Sequence, residues 1–567
     1  MGTSILRIDM QNLEVRREAP CEAHRMRGGR SFIAHTLLKE VEPDSNPLGR
    51  RNKLILLPGV LGGTAAPCSG RLSAGGKSPL TGGIKESNAG GLAGHKLARL
   101  GIKALIFEGK PAHRGDLYLF LLGRGSQELI PCPELRGLGV YESAGRLRER
   151  YGRNAGVILI GPAGEMQLTA GGIANTDIDG EPSRYCGRGG LGALMGSKGI
   201  KAVIIDDGGA RAPESYDKKR FSEAVREVAR LIRETPQTAQ VYRDWGTAAL
   251  VAITNALGAL PTRNFSTGSF EGAERISGEA LRDLILERGG LTTHACMPGC
   301  PIGCSNLVPR KDGSKLVSPL EYETIGLLGA NCGIDDLDAI GEMNRLCNDL
   351  GVDTIDVGGA VGIAMEAGLV RFGDSAGAIE LIREIGKGTV LGRVIGHGGA
   401  LTARVLGVTR VPAVKGQIMP AYEPRGIKGL GVTYSTSAMG ADHTAGNTVR
   451  AQIDHHSPEG QVEASRKAQL TAVIYDSLGI CLFVGAAVKS RIDLLADLVS
   501  AHLGIPCSTE ELLALARQTL AAEREFNRRA GLTRVHDRLP EYFREELNPA
   551  AGTVFDVSDE ELDRMWG

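Results

Sequence analysis

The chain is poor in aromatic residues: Phe, Trp and Tyr make up 4% of its 567 residues, and Trp occurs twice. It also lacks an excess of charge, with 66 basic and 66 acidic side chains. That balance gives no electrostatic ground for nucleic acid or an anionic membrane as a partner. No apolar run reaches the roughly 18–20 residues needed to span a bilayer. The opening "MGTSILRIDMQNLEV" has no charged segment followed by an apolar one, so no secretory signal is read there and a cytoplasmic protein is expected. Internal repeats of fixed period and low-complexity tracts are missing too, which argues against a solenoid.

Two residue types stand out instead. Glycine occurs 79 times, about twice the usual ~7%, so much of the backbone must turn tightly or approach something closely. Cysteine occurs 11 times. In a reducing compartment these are not expected as disulfides, and most are expected to be small buried hydrophobes.

The texture changes along the chain. Up to about residue 208, short apolar or alternating runs such as "NKLILLPGV", "KALIFEGKP", "DLYLFLLG" and "KAVIIDD" are bounded by Gly, Pro and Asp, which predicts strands. From about 214, "SYDKKRFSEAVREVARLIRET" and "SGEALRDLILERGG" carry apolar residues at helical spacing. Ser508 to Glu511 predicts a capping box opening a long helix. Near 415, "RVPAVKGQIMPAYEPRGIKG" breaks helical periodicity. The expected organisation is α+β: a β-rich domain over 1–208, then two mostly helical domains over 209–415 and 416–567.

One stretch concentrates thiols. "THACMPGCPIGCSNLV" places Cys296, Cys300 and Cys304 within nine residues, with glycine and proline between them. Three such thiolates suit an iron–sulfur cluster. Zinc is a weaker fit, because structural zinc sites pair C-x2-4-C with a second Cys/His pair close by. The spacing is C-x3-C-x3-C, not the C-x3-C-x2-C of enzymes that cleave S-adenosylmethionine. Coincidental core cysteines are the bland reading. Cys332, Cys347 and Cys481 are each candidates for a fourth ligand.

"CGRGGLGALMGSKGIKAV" contains Gly187, Gly189 and Gly192 as G-x-G-x-x-G. A dinucleotide motif should follow an apolar strand. Here the preceding "ANTDIDGEPSRY" is polar and predicts a turn. The glycines still permit close approach to a phosphate or a flat heterocycle. "GTAAPCSGRLSAGGKSPLTGGIKESNAGG" sets Arg71, Lys77, Ser78, Thr81, Ser87 and Asn88 among glycines, which suits an anionic ligand as well as it suits a surface loop. "NDLGVD" and "DSLGIC" echo one another, and alone each reads as a helix ending at glycine. Glu321 and Glu323 in "LEYETIGLLGAN" and His443 in "STSAMGADHTAGNT" are proton-handling residue types.

These motifs in this order, from "GGRSF" to "DSLGICLF", resemble the tungsten-containing aldehyde ferredoxin oxidoreductase family. The resemblance implies a β-rich first domain and two helical ones. It implies tungsten or molybdenum held by two pterins, magnesium bridging the pterin phosphates, and a [4Fe–4S] cluster passing electrons to ferredoxin. Cys296, Cys300 and Cys304 match the clustered ligands and Cys481 the distant fourth. Asp353 and Asp476 look like the anchors of the two pterins, with Ile480 in the second pterin motif. Arg71, Asn88, Gly90 and the run Arg184, Cys186, Gly187, Arg188, Gly189 and Gly190 resemble residues around the cofactor. Glu321, Tyr422 and His443 match polar residues beside the metal, with Glu321 as general base. The implied activity is oxidation of a small aldehyde to a carboxylate. The same resemblance leaves carboxylic acid reduction, a reaction like that of benzoyl-CoA reductase, or a cluster-only electron carrier as rivals.

The chain departs from the pattern in three places. Many members have C-x2-C where this one has C-x3-C. Asn348 stands where a stricter pterin motif has Asp. The E-x-x-H that bridges a dimer through iron in some members is missing, which leaves a homodimer without that support.

Overall fold

The computed structural model describes residues 3–113 and 115–566. Two compact units form, and neither is a continuous stretch. The first joins residues 1–240 to the short cysteine segment 295–303 and to 473–531. The second comprises 241–294, 304–472 and 532–567.

The β-rich N-terminal region holds two mixed six-stranded sheets. In the first, β1 (Ser4–Asp9), β2 (Glu14–Glu18), β3 (Leu54–Pro58), β4 (Leu72–Lys77), β5 (Ile84–Ala89) and β6 (Ile102–Glu108) lie in the order β2-β1-β6-β3-β4-β5. All neighbours are antiparallel except β1 and β6. The second sheet contains β7 (Tyr118–Leu122), β8 (Gln127–Pro131), β9 (Gly156–Leu159), β10 (Ile173–Asn175), β11 (Arg184–Cys186) and β12 (Ile200–Ile205), ordered β11-β10-β9-β12-β7-β8. Here only β7 and β12 run parallel.

The sequence explains which strands are central. β3 (LILLP) and β12 (IKAVII) are buried along their whole length, and continuous apolar runs suit strands covered on both faces. β2 (EVRRE) is largely exposed at an edge, where charges discourage pairing with another chain. Leu54, Leu56, Leu105, Phe107, Phe120, Ile158 and Val203 build a core with Leu191, Leu194 and Met195 of helix Leu191–Ser197.

The same unit contains helix Gly29–Glu40 and helix Thr509–Arg529, which pack together; Thr519 Oγ1 donates to Ser31 Oγ at 3.0 Å. The expected capping box is present, with Glu511 N donating to Ser508 Oγ and Ser508 N donating to Glu511 Oε2 at 2.7 Å.

The second unit is largely helical. It also contains a three-stranded antiparallel sheet of β13 (Leu291–His294), β14 (Ser305–Pro309) and β15 (Lys315–Val317). The break in periodicity near 415 is a tight hairpin that pairs Ala413 with Ile418, with Lys415 at φ 52 and Gly416 at φ 80. Among the described residues, no helix is long and apolar enough to cross a membrane.

Candidate active site

In the first unit, the segment carrying Asp476 and Cys481 is zippered onto the loops after β3. Val60 N donates to Ser477 O and Leu61 N to Leu478 O, both at 3.1 Å. Arg71 N donates to Gly479 O at 3.3 Å, and Cys481 N to Cys68 O at 2.9 Å. Glycine is required at the seam, because a Cβ on Gly59 would stand 2.0 Å from Gly479 N. Gly479 itself (φ 76) ends helix Gln461–Leu478. Gly351 (φ 73) likewise ends Leu337–Leu350 in the second unit. Both echoing motifs are therefore helix C-caps, as their spacing predicts.

This zipper gathers thiols. Cys68 Sγ lies 3.8 Å from Cys300 Sγ, and Cys300 is hydrogen-bonded to Cys296. Cys481 faces Cys300 and Arg71 electrostatically. A Cβ on Gly90 would come within 2.8 Å of Cys296 Sγ, and Asn175 Nδ2 fixes the Gly90 carbonyl at 2.6 Å. His95 Nε2 lies 3.1 Å from Pro298 O and so pins the cysteine loop. None of the eleven cysteines forms a disulfide. Cys332 is engaged elsewhere, its thiol on the carbonyls of Leu327 and Gly358 in the buried interior of the second unit. Cys304 sits in that unit too, bridged to His294 beside β14.

Cations surround the thiols. Burial opposes the charge on Arg71, but Cys481, Cys296, Asp476 and Cys186 outweigh it and hold the guanidinium above its ordinary value. The Cys296 thiol is pushed well up, first by its hydrogen bond with Cys300 and then by burial, while Arg184 and Arg71 pull it down. This donor set fits a thiolate-bound cluster, since the cations offset the charge that ligation brings in.

Beside the thiols lies a buried ionic network. Arg30 forms a paired contact with Glu523, Nε to Oε1 at 2.8 Å and Nη2 to Oε2 at 2.9 Å, and reaches Asp476 Oδ2 at 3.4 Å. Asn88 Nδ2 donates to Asp476 Oδ1 at 3.0 Å, and Arg71 grips both Asn88 Oδ1 and its carbonyl. Glu86 is buried next to them with Oε1 lacking a hydrogen-bond partner. Burial, then the charge of Asp476, pushes Glu86 up to about 8. Ser477 Oγ and Asn175 Oδ1 are likewise buried without partners. Unspent polar atoms in a charged cradle fit a large polar cofactor that supplies the missing contacts.

The glycine run is preceded by strand β11, paired with β10 from Arg184↔Asn175 to Cys186↔Ile173, where the sequence predicts a turn. Local polarity missed it because the partner strand, not apolar alternation, stabilises so short an edge. Gly189 (φ 81) and Gly190 (φ 75) then turn the chain into helix Leu191–Ser197. Ser78 Oγ donates to Gly189 O at 2.7 Å, and a Cβ on Gly189 would collide with Lys85. The two glycine-rich strips thus lie against each other. Arg184 and Arg188 are both buried.

The second unit contains the proton-handling groups. His443 Nε2 is 3.4 Å from Glu323 Oε1, and Ala421 N donates to Glu323 Oε2 at 2.8 Å. The Tyr422 ring lies 5.9 Å from His443 and 5.1 Å from Tyr322. Burial, then the charge of Glu323, pushes the Tyr422 phenol well up, so it stays protonated. Tyr322 Oη donates to the Ala421 carbonyl and lies 2.9 Å from Thr254 Oγ1. The Glu in contact with His443 is Glu323, whereas Glu321 directly precedes the turn Tyr322–Thr324 in extended conformation. Ile325–Gly329 continues as a π-helical turn, a feature frequent at functional sites.

Two further predicted positions are settled in their surroundings. Asp353 is the N-cap of helix Thr354–Glu366, its Oδ1 accepting Ile355 N at 3.0 Å. "EPRG" forms a buried ion pair: Arg425 Nε donates to Glu423 Oε1 at 2.7 Å, and Glu423 Oε2 accepts from Asn548 Nδ2 at 2.7 Å. That pair holds the backbone directly after Tyr422.

Comparison with known families decides the assignment. Residues 5–207 match the model described as aldehyde ferredoxin oxidoreductase, N-terminal domain, and residues 223–566 match aldehyde ferredoxin oxidoreductase, domains 2 & 3. The chain belongs to the aldehyde ferredoxin oxidoreductase family. Within that family it is 35% identical, over 574 residues, to a protein of Pyrococcus abyssi (strain GE5 / Orsay) named tungsten-containing aldehyde ferredoxin oxidoreductase. The match covers 96% of this chain and 92% of that one. An aliphatic sulfonate oxidoreductase, WOR-like subunit, of Pyrococcus furiosus (strain ATCC 43587 / DSM 3638 / JCM 8422 / Vc1) is 25% identical over 492 residues, covering 81% of this chain and 75% of its own. Among solved structures, the active site complex BamBC of benzoyl coenzyme A reductase with 1,5-dienoyl-CoA aligns with a TM-score of 0.83 at 18% identity, covering 99% of this chain and 93% of that one. At that identity the likeness establishes the family member's fold alone.

Proposed function

We propose that this protein is a tungsten–pterin oxidoreductase that oxidises a small aldehyde to its carboxylate: R–CHO + H2O → R–COO⁻ + 3 H⁺ + 2 e⁻. The observation that carries the reading is the Glu323–His443–Tyr422 constellation in a chain that also gathers cluster-type thiols. The 35% identity to proteins named for tungsten and aldehyde, against 25% for the sulfonate enzyme, supports the substrate class.

Cys296, Cys300, Cys304 and Cys481 would hold a [4Fe–4S] cluster. Asp353 and Asp476 would anchor two pterins, with Ile480 beside the second. Arg71, Asn88, Gly90 and the Arg184–Gly190 loop, including Cys186, Gly187 and Arg188, would surround the pterin phosphates and a bridging magnesium. When bound, the metal supplies Lewis-acid and two-electron chemistry. The remaining work falls to side chains. Glu323, held through Oε2 by the Ala421 amide, takes a proton from water or the hydrated aldehyde at Oε1. His443, in contact with Oε1, shares that proton. Tyr422, kept protonated, and His443 donate to the oxyanion that develops at the aldehyde carbon. Glu321 is the base that the resemblance implies, and we place that role on Glu323, whose Oε1 lies 3.4 Å from His443 Nε2. The electron acceptor is a ferredoxin-like carrier in the cytoplasm.

The test is anaerobic purification, elemental analysis and an aldehyde panel with a low-potential one-electron acceptor. About one tungsten and four irons per chain with aldehyde-dependent reduction supports the reading. Iron without tungsten or molybdenum, or metal-replete protein inert to every aldehyde, overturns it.

A further inference from the structure

Tyr422 supplies a proton to the oxyanion in the proposed reaction, so the group that fixes the direction of that proton bears on the rate. The phenol is 3% exposed. Two neighbouring phenols spend their protons on backbone carbonyls: Tyr322 Oη donates to Ala421 O, and Tyr434 Oη to Tyr422 O at 3.4 Å. Tyr422 is placed differently. Its hydroxyl is hydrogen-bonded to the side chain of Asn447, in the loop just beyond His443. Burial and then the charge of Glu323 push the phenol up, while the bond to Asn447 pulls it down, as donation to a phenol oxygen does.

The other end of the Asn447 amide gives the direction of that bond. Val449 N meets this side chain at 2.9 Å, and a backbone N–H can only donate, so the atom facing it is Oδ1. The NH2 end of the amide is left for Tyr422, and an NH2 group can only donate. We propose that Asn447 is a positioning residue: its Nδ2 donates to Tyr422 Oη and turns the phenol proton away from itself, toward the substrate oxygen. This rests on the aldehyde oxidation given above. A phenol O–H lies near the plane of its ring and has two such orientations. An NH2 group against one side leaves the other. The proton is then aimed before the oxyanion forms, and no reorientation is needed during the reaction. Asn447 acts on the reaction through Tyr422.

The experiment compares wild-type, Asn447→Asp and Asn447→Leu holoenzymes, each with and without Tyr422→Phe. Aldehyde oxidation is measured at pH 8 and normalised to tungsten. Asp has the shape of Asn and keeps Oδ1 for Val449 N. At pH 8, above the ordinary carboxylate range, it accepts where Asn donates, and it should draw the phenol proton to itself. The expected result is a fall in kcat of roughly 10²–10³, the size of a lost oxyanion donor, with KM little changed. Leu neither gives nor takes a proton. Asn447→Leu should therefore lose less than Asn447→Asp, although it also loses the contact with Val449 N. On Tyr422→Phe, neither change should cost anything further. Asn447→Asp at the wild-type rate, a larger loss in Asn447→Leu than in Asn447→Asp, or equal losses with and without the Tyr422 hydroxyl each overturn the proposal. Should Asn447→Asp fail to fold, Asn447→Leu on the two backgrounds decides. A several-fold loss only where Tyr422 is present supports the proposal, and the same loss on both sinks it. Wild-type holoenzyme with tungsten and iron in place that oxidises no aldehyde removes the reaction itself, which separates that failure from a failure of Asn447.

Discussion

Glu323 Oε1 stands 3.4 Å from His443 Nε2 while Glu323 Oε2 is held by the Ala421 amide. One oxygen is therefore anchored and the other presented. Glu323→Gln keeps the shape and loses the base. Turnover of a metal-replete enzyme should fall by roughly 10²–10⁴, whereas Glu321→Gln should lower it far less. Steady-state rates of the two variants, normalised to tungsten content, check this, and the reverse ranking would return the role to Glu321.

Cys481 and Cys332 are both buried thiols in the chain's second half, in unlike surroundings. Cys481 is bonded through its backbone to Cys68 and faces Cys300. Cys332 is spent on two carbonyls. Cys481→Ser should lower iron content and the cluster's visible absorption, and Cys332→Ser should leave both near wild type. Iron analysis of the purified variants gives the answer directly.

Glu86 makes stability depend on pH. Burial and the nearby Asp476 raise it from 4.5 to about 8, so the native state holds a proton that the unfolded chain releases. Stability contributed by this group is complete below about 4.5 and is lost as pH rises through about 8. Glu86→Gln cannot ionise. It should flatten the decline of the melting temperature between pH 5 and pH 9 and be the more stable protein at pH 9. Thermal melts across that range would contradict this if both proteins declined in parallel.

Arg425 and Glu423 are both fully buried, and Arg425 also bonds the carbonyls of Phe265 and Glu546 at 2.8 and 3.0 Å. Arg425→Met would leave Glu423 charged and unpaired in the interior. A loss of about 3–5 kcal/mol is expected, read from denaturant unfolding. The pair lies next to Tyr422, so the variant should also lose activity before it loses helical content.

Much of this was legible in sequence because it depends on neighbours along the chain. Apolar runs mark β3, β6, β7 and β12, whereas β4 and β5 lie in the glycine-rich strip that the sequence alone reads as well as a surface loop. The Ser508–Glu511 box and the glycine ends at 351 and 479 follow from local backbone needs. The ordered motifs point to the family on their own. β11 escaped notice because three residues carry too little pattern, and the strand exists through its pairing with β10.

The chain's order of motifs, its glycines at turns and its thiol-rich "CMPGCPIGC" were thus determined by the sequence alone, since each is a property of a few consecutive residues. Tertiary structure brought Glu323 to His443 and its other oxygen to the Ala421 amide, contacts between segments far apart in the chain. It alone brought Cys68 to Cys300 and Arg30 to Glu523 and Asp476. Those contacts join segments hundreds of residues apart, and no local periodicity encodes them. The segment bearing Asp476 can lie against the loop after β3 because Gly59 and Gly479 have no side chains to hold the two backbones apart.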